Sequence, residues 1–316
     1  MGSIRNSGIE LALNYGRTSV AVEWNLGGNI SFINNKVLSM TKNNEPTAFI
    51  VGGGDNSNDN RPLTRAAVGQ PVGVFYGLVV DRIIQNNSDL YYANAADGNS
   101  GTAYGGSALR PGDIKFKDLN GDGIINDRDR TIIGNPIPKF TYGFYGRAAY
   151  RGFDVQAQFN GVYGSQIYNA ARFWTEGMQR NFNYDRNTLN RWVSEANPGN
   201  GKVPRANSND ANNGQVSNRY VEDGSFLRLR SLTVGYNFPQ GIRSRLGNLA
   251  NLRLYATANN LLTLTKYTGY DPEVGSAFRQ DPNAGNPSDG ANLNRNIDNA
   301  NYPIAKSLIG GIQVSF

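Results

Sequence analysis

Alternation of apolar and polar residues with period two, sustained over stretches longer than ordinary strands, constrains this chain more than any other feature. From Phe153 to Tyr163, the apolar Phe153, Val155, Ala157 and Phe159 alternate with Asp154, Gln156, Gln158 and Asn160. Successive side chains of an extended backbone point to opposite faces, so this segment reads as a strand that is apolar on one side and polar on the other. Residues 20–33 repeat the pattern, with Val20, Val22, Trp24, Leu26, Gly28, Ile30 and Phe32 facing one way and Ala21, Glu23, Asn25, Gly27, Asn29 and Ser31 the other. Strands in soluble proteins average about 5–6 residues, well short of that span. The same template fits Ile9–Tyr15, Phe140–Tyr150, Leu232–Phe238, Leu252–Ala258 and Leu308–Phe316. With a less regular strand from Pro71 to Ile84, about eight long strands are expected, each near or above the ~9–11 residues a tilted strand needs to cross a bilayer.

The connections alternate as well. Those at 15–19, 150–152 and 239–249 are short, whereas 34–70, 86–139, 165–224 and 265–305 are long and rich in Asn, Gly, Asp and Ser. Short turns at one end and long loops at the other are the pattern of an outer-membrane barrel. Within the third long connection, residues 185–195 read as a short helix with Leu189, Trp192 and Val193 on one side, ended by Asn197-Pro198-Gly199. No run of about 18 apolar residues is present, which excludes a membrane-crossing helix. The mean hydropathy of −0.50 does not argue against crossing by strands, because alternating strands are near neutral and polar loops pull the average down.

The chain has neither His nor Cys, which removes imidazole bases, thiolate nucleophiles, disulfides and the usual zinc sites. No motif marks the remaining carboxylate, Lys, Tyr or Ser chemistry, so no enzyme activity is expected. The net charge of +6 comes with 8 Lys and 23 Arg, scattered without a basic run, so nucleic-acid binding is not expected. Gly52-Gly53-Gly54-Asp55 has neither the Lys-Ser/Thr nor the following helix of a phosphate-cradling loop and reads as a flexible loop. The segment from Met1 to Asn6 carries no apolar stretch of the kind a signal peptide needs.

Three segments carry a family resemblance: Asn218 to Tyr236 (NRYVEDGSFLRLRSLTVGY), Pro136 to Gly143 (PIPKFTYG), and Tyr150 to Val155 (YRGFDV) followed by Gly161-Val162-Tyr163-Gly164. They resemble, in the same order, the SusC/RagA family of TonB-linked outer-membrane transporters. The resemblance implies an all-β fold, an antiparallel transmembrane barrel segment with long extracellular loops, with residues 1–316 forming the C-terminal portion of a barrel of about 22 strands. Family members also carry a signal peptide, a TonB-binding segment and a plug, which this chain lacks. Implied partners are TonB acting through that plug, a SusD-like surface lipoprotein serving as lid, outer-membrane lipid, and a glycan or peptide substrate. Alternating Leu308, Ile312 and Val314 before Phe316 match the terminal strand thought to be read by the barrel-assembly machinery. On this basis Asp154, Gln156, Gln158, Asn160, Arg147, Arg253 and Asn259 face the lumen, and Tyr163, Tyr168, Trp174, Trp192 and Tyr220 are the candidates for substrate or lid contacts.

One motif carries chemistry of its own. Asp118 to Asp129 (DLNGDGIINDRD) fits the D-x-[DN]-x-[DN]-G calcium loop with a carboxylate at position twelve. Asp118, Asn120 and Asp122 would supply side-chain oxygens, Ile124 its carbonyl, Asn126 a bridging water and Asp129 the closing carboxylate. Calcium is thus expected as a structural ion; the competing reading is an Asp/Asn/Gly turn held by its own hydrogen bonds. Two other readings of the whole chain stay open: a self-contained small outer-membrane barrel acting as an adhesin or binding module, and a soluble calcium-dependent glycan-binding β-protein.

Overall fold

The computed structural model describes residues 2–18, 22–40, 48–52, 62–90, 109–178, 183–206, 212–247, 249–275 and 293–316. Val20 and Ala21, and Gly53, Gly54 and Asp55 of the glycine-rich loop, lie outside the described residues. The main sheet consists of β1 (Ser3–Thr18), β2 (Val22–Ser39), β3 (Phe140–Tyr150), β4 (Phe153–Tyr163), β5 (Phe226–Asn237), β6 (Asn251–Thr265) and β7 (Ser307–Ser315). Each strand pairs antiparallel with its neighbours in chain order, an up-and-down meander in which β1 and β7 are the two edges.

Register converts the alternation of single strands into two continuous faces. Leu11 lies opposite Ile30, which lies opposite Tyr142, which lies opposite Gly161. Farther along, Val155 meets Val234, Val234 meets Ala256 and Ala256 meets Gly310. Every apolar set therefore falls on one side, as it must, because a one-residue slip would send a whole strand's set to the other face. That side is open: Leu13 is 80% exposed and Leu308 82%. An exposed apolar face of this breadth, backed by a polar one, is the pattern that the wall of a transmembrane barrel presents. Phe32, Phe140, Tyr142 and Tyr163 cluster on it at one end, with Phe140 and Tyr163 stacked at 4.9 Å, the position of an interfacial aromatic girdle.

The opposite face carries Glu23, Asn25, Arg147, Asp154, Gln156, Gln158, Thr233, Arg253 and Asn259, with Asn25, Arg147, Gln156 and Thr233 successive registered partners across the sheet. Asp154 on β4 and Arg253 on β6 form an ion pair of 2.5 Å across the intervening β5. They meet because Gly235 of β5 has no side chain: a Cβ there would stand 2.5 Å from Arg253 Nη2 and 2.6 Å from Asp154 Oδ2. Gly235→Val is expected to cost about 1–3 kcal/mol by breaking charge-assisted hydrogen bonds, read as a lower urea midpoint in liposomes, and Gly235→Val combined with Arg253→Gln should cost little more than either change alone.

The core of the molecule lies outside the sheet, in the long connections. Phe49–Gly52, Thr64–Ala67, Val74–Gly77 and Thr131–Gly134 form a four-stranded sheet; Val80–Ile83 pairs with Ile114–Phe116; Gln166–Asn169 joins Val221–Asp223 and Ile297–Asp298. Helix α1 (Ala170–Glu176) packs among them. Leu63, Phe75, Tyr168, Ala170, Phe173, Val216, Tyr220 and Ile297 make one buried cluster, and Leu78, Ile83, Ile114, Phe116 and Ile125 another. The long loops are therefore a folded layer at one end of the wall. Among the described residues, the other end carries the two-residue Arg151-Gly152 turn and the connection between β5 and β6, which includes the short helix α2 (Gln240–Arg245).

Two expectations are corrected. The strand expected at Pro71–Ile84 is not in the main sheet, which has seven long strands among the described residues; the segment instead forms the two short strands at 74–77 and 80–83. Val74, Phe75, Leu78, Ile83 and Ile84 are all buried, so both faces of this segment meet protein, unlike those of a lipid-facing strand. The helix expected at 185–195 is only a 3-10 turn at Arg186–Asn190, capped by the Asp185 side chain. Beyond it the Trp192 N–H donates to the Val203 carbonyl, holding the backbone extended.

Candidate functional site

The loop layer is fastened over the polar face by charges brought in from the strands. Arg228, on the polar side of β5, is 2% exposed. Its guanidinium donates to Thr263 Oγ1 at 2.9 Å, Glu273 Oε2 at 2.6 Å and Asp271 Oδ1 at 2.6 Å. The register shifts between Leu229 and Ser231, and the extra residue, Arg230, reaches Glu273 at 2.8 Å. Asp271 also accepts the N–H groups of Glu273 and Ile304. Burial pushes the Asp271 carboxyl up, but the Glu273 N–H, the Arg228 guanidinium and the Ile304 N–H outweigh it and hold the group below the ordinary carboxylate value.

A second network surrounds α1. Arg172 bridges Glu176 and Glu222 at 2.9 Å each, Arg219 reaches Glu176 at 3.1 Å, and Thr268 donates to Glu222. Glu176 is pushed up by burial and pulled down more strongly by Arg172, Asn187 and Arg219, so its pKa lies below its ordinary value. Arg172, Glu176 and Thr268 line one side of a cleft of about 490 Å³, completed by Asn169, Asp185, Tyr270 and Asp298. Tyr270 is 73% exposed at its edge. The Tyr267 hydroxyl donates to Asp298 at 2.5 Å, and burial together with that carboxylate raises the phenol's pKa.

Carboxylates whose folded pKa is depressed add stability that is complete above their unfolded values and is lost as pH falls through the folded ones. With ordinary values of 4.5 for Glu176 and 3.8 for Asp271, the loop layer should resist protease equally at pH 7 and pH 5. Resistance should then fall below about pH 4. Limited proteolysis across that range checks it; a loss already complete at pH 5 would assign the layer's stability to other groups.

The Asp118–Asp129 loop is a closed hydrogen-bond network. Asp118 accepts the N–H groups of Gly121 and Gly123 at 2.7 Å each; Asn120 accepts that of Asp122, and Asp122 that of Ile124. The Ile124 N–H, assisted by the Asn120 amide, holds the Asp122 carboxyl below the ordinary value. Buried Asp129 accepts the N–H groups of Leu119 at 2.9 Å and Asn126 at 2.8 Å, clasping both ends of the loop. Asn126 caps the following 3-10 turn, and its amide donates to the Ile124 carbonyl. The oxygen-rich donor set suits a hard cation. In this conformation Asp129 is turned to backbone N–H groups, and among the described residues no three acidic side chains are gathered at one point.

The aromatic candidates are placed differently from one another. Tyr168 and Tyr220 are buried in the loop core, where their rings pack edge to face at 6.0 Å. Tyr163 belongs to the aromatic cluster on the apolar face, stacked on Phe140. Trp174 packs half-buried against Phe173, and Trp192 lies against the second core cluster. Tyr270, beside the cleft, went unnoticed in the sequence, where a Tyr between Gly269 and Asp271 carries no periodic signal. Asp154, Gln156, Gln158, Asn160, Arg147, Arg253 and Asn259 share the polar face as expected. Leu308, Ile312, Val314 and Phe316 are all exposed, with the first three registered on the apolar face.

No protein-family model matches the chain. Over its whole length it is 30% identical to TonB-dependent receptor P3 of Formosa agariphila, covering 29% of that protein. It is 26% identical to TonB-dependent receptor SusC of Bacteroides thetaiotaomicron over 290 residues, 89% of this chain and 25% of that one. The fold superposes on a chain of the RagAB peptide transporter with a TM-score of 0.72 at 22% identity, covering all of this chain and 30% of the other. The chain thus spans under a third of the length of the relatives it matches.

Proposed function

Because this chain belongs to the SusC/RagA family of TonB-dependent receptors, we propose that it is the C-terminal part of the barrel of an outer-membrane nutrient importer. The observation that carries this reading is the seven-stranded meander with an apolar outer face, a polar inner face and a folded loop layer at one end. The polar face lines the substrate path and meets the plug of the complete receptor. The loop layer, with the cleft beside Tyr270, faces the medium and a SusD-like surface lipoprotein, the partner that the family implies. The substrate is an oligosaccharide or a peptide, the latter supported by the likeness to a peptide transporter. Import draws its energy from TonB through the plug, and Leu308, Ile312, Val314 and Phe316 present the strand that the barrel-assembly machinery reads. A non-catalytic role is supported by relatives that are receptors.

The exposed apolar face stands against a soluble glycan-binding protein, and a sheet whose edges β1 and β7 are unpaired with each other stands against a self-contained barrel, since open edges are not tolerated in hydrocarbon. Deletion of the receptor should abolish uptake of a labelled oligosaccharide or peptide pool, as should loss of TonB, and the protein should fractionate with the outer membrane in a heat-modifiable form. Recovery in the soluble fraction, or uptake unchanged by deletion, would overturn the assignment.

Structural calcium at Asp118–Asp129 belongs to the same proposal and rests on the twelve-residue spacing. Binding requires Asp129 to exchange its two backbone N–H partners for the ion. Protease resistance of this loop should then rise in millimolar calcium over chelator, and Asp122→Asn should remove the difference. Equal resistance in both conditions would leave the loop as a turn held by its own hydrogen bonds.

A further inference from the structure

The lipid-facing side of the sheet is not uniform. Near the end that carries the tight turns, small residues interrupt the apolar band: Ala256 on β6 and Gly310 on β7 lie side by side in register, next to Val234 on β5. Larger side chains, Phe153, Tyr236, Leu254 and Ile312, stand in the adjoining registered row, toward the turns. The result is an apolar groove of about 650 Å³. A Cβ on Gly310 would meet no atom within 4 Å, so the groove is open at its floor and a side chain there enters it without touching the sheet.

The rim at this end is cationic. Arg151, in the β3–β4 turn, lays its guanidinium over the ring of lipid-facing Tyr150 at 5.1 Å from the centroid. Tyr150 is the registered partner of Phe153, a wall of the groove. The turn joining β5 and β6, the strands that form the groove's other walls, carries α2 with Arg243 and Arg245. Arg243 is tied to the Ala250 carbonyl, whereas Arg245 is exposed, beside exposed Ile242 and Leu246 on the same helix. The carboxylates at this end, Glu23 and Asp154, belong to the polar face and are paired with Arg147 and Arg253. Arg151 and Arg245 therefore bring positive charge to the end of the wall that carries the groove, where Glu23 and Asp154 are already paired on the polar face.

We propose that the groove holds one acyl chain of an anionic phospholipid of the periplasmic leaflet, with the lipid phosphate at Arg151 and Arg245. The proposal rests on the reading of the sheet as an outer-membrane barrel wall, which places the tight turns on the periplasmic side. Apolar burial in the groove holds the chain, and each Arg near the headgroup adds about fivefold in affinity. Arg151, stacked on Tyr150, is fixed where the headgroup plane of that leaflet lies.

The test uses the receptor that contains this chain, purified in mild detergent, reconstituted with equal phosphatidylglycerol and phosphatidylethanolamine, and released for native mass spectrometry. The wild type should retain phosphatidylglycerol preferentially. Gly310→Leu, which fills the groove from the lipid side, should abolish retention of either lipid. Arg151→Gln with Arg245→Gln should cut the preference for phosphatidylglycerol by roughly twentyfold while leaving chain binding in place. Heat-modifiable mobility of each variant reports insertion separately. A protein that does not insert overturns the barrel reading together with the groove. An inserted protein that retains both lipids equally, or retains phosphatidylglycerol as well after Gly310→Leu, overturns the lipid site alone.

Discussion

Replacing Arg228 with Met should destabilise the attachment of the loop layer to the wall by about 3–5 kcal/mol, the cost of stranding the partner of a buried ion pair. Arg228 is among the largest fully buried side chains of the molecule, and its three hydrogen bonds satisfy Asp271, Glu273 and Thr263 at once. Without the guanidinium, Asp271 retains its N–H donors but loses its counter-ion, and Glu273 keeps only the more exposed Arg230. The expected result is early protease cleavage within residues 266–275 while the heat-modifiable mobility of the barrel persists. Adding Asp271→Asn and Glu273→Gln to the Met variant should recover part of the loss, because neutral amides cost less to leave unpaired than carboxylates do. Equal protease resistance of wild type and R228M would show that the apolar loop core alone holds the layer.

The wall was legible in the sequence because a period of two survives without any knowledge of partners. Phe153 to Tyr163 announced its own two faces, and pairing only had to bring the faces of neighbours into line, as Val155, Val234, Ala256 and Gly310 do. The Pro71–Ile84 segment failed the same test for a physical reason. Its apolar residues fall on both faces because both are covered by protein, and a run without strict alternation cannot be assigned to a wall by periodicity. Short 3-10 turns such as Arg186–Asn190 are set by local caps, and a stretch of apolar residues at helical spacing does not reveal that Trp192 is held in an extended bridge to Val203.

The candidate site was less legible, because burial of single aromatics depends on contacts between distant segments. Tyr168 and Tyr220 are 52 residues apart and meet only once Val221–Asp223 pairs with Gln166–Asn169. Tyr163 is separated from Tyr168 by five positions yet belongs to the opposite environment, since it closes the alternation of β4 and so stays on the apolar face. The carboxylates Asp271 and Glu273 showed nothing in the sequence beyond a polar loop; the bulge at Arg230, which aims a second guanidinium at them, is visible only in the register. The calcium-type loop was legible as a pattern of oxygen donors, whereas the direction of the Asp129 carboxylate was not, because the spacing of ligands does not specify which N–H groups compete for them.

The assignment of the two faces predicts the second large effect. Ala157 sits midway along β4 on the apolar face, between Gly146 and Leu232 in register, and Arg placed there should cost about 2–4 kcal/mol, the penalty for a cation at the bilayer midplane of a barrel wall. Gln156 and Gln158 are its sequence neighbours on the polar face, and Arg at either should cost under ~1 kcal/mol because a water-filled lumen solvates it. Urea titrations of the receptor folded into liposomes give the comparison directly, with Ala157→Leu as a control for side-chain size. A contrast of this size between adjacent positions has no source in strand propensity, which changes little for the same residue one step along one strand. Equal midpoints for A157R and Q158R would mean that both faces of β4 see water, and the lipid-facing band, the aromatic girdle and the groove at Gly310 would all lose their common premise.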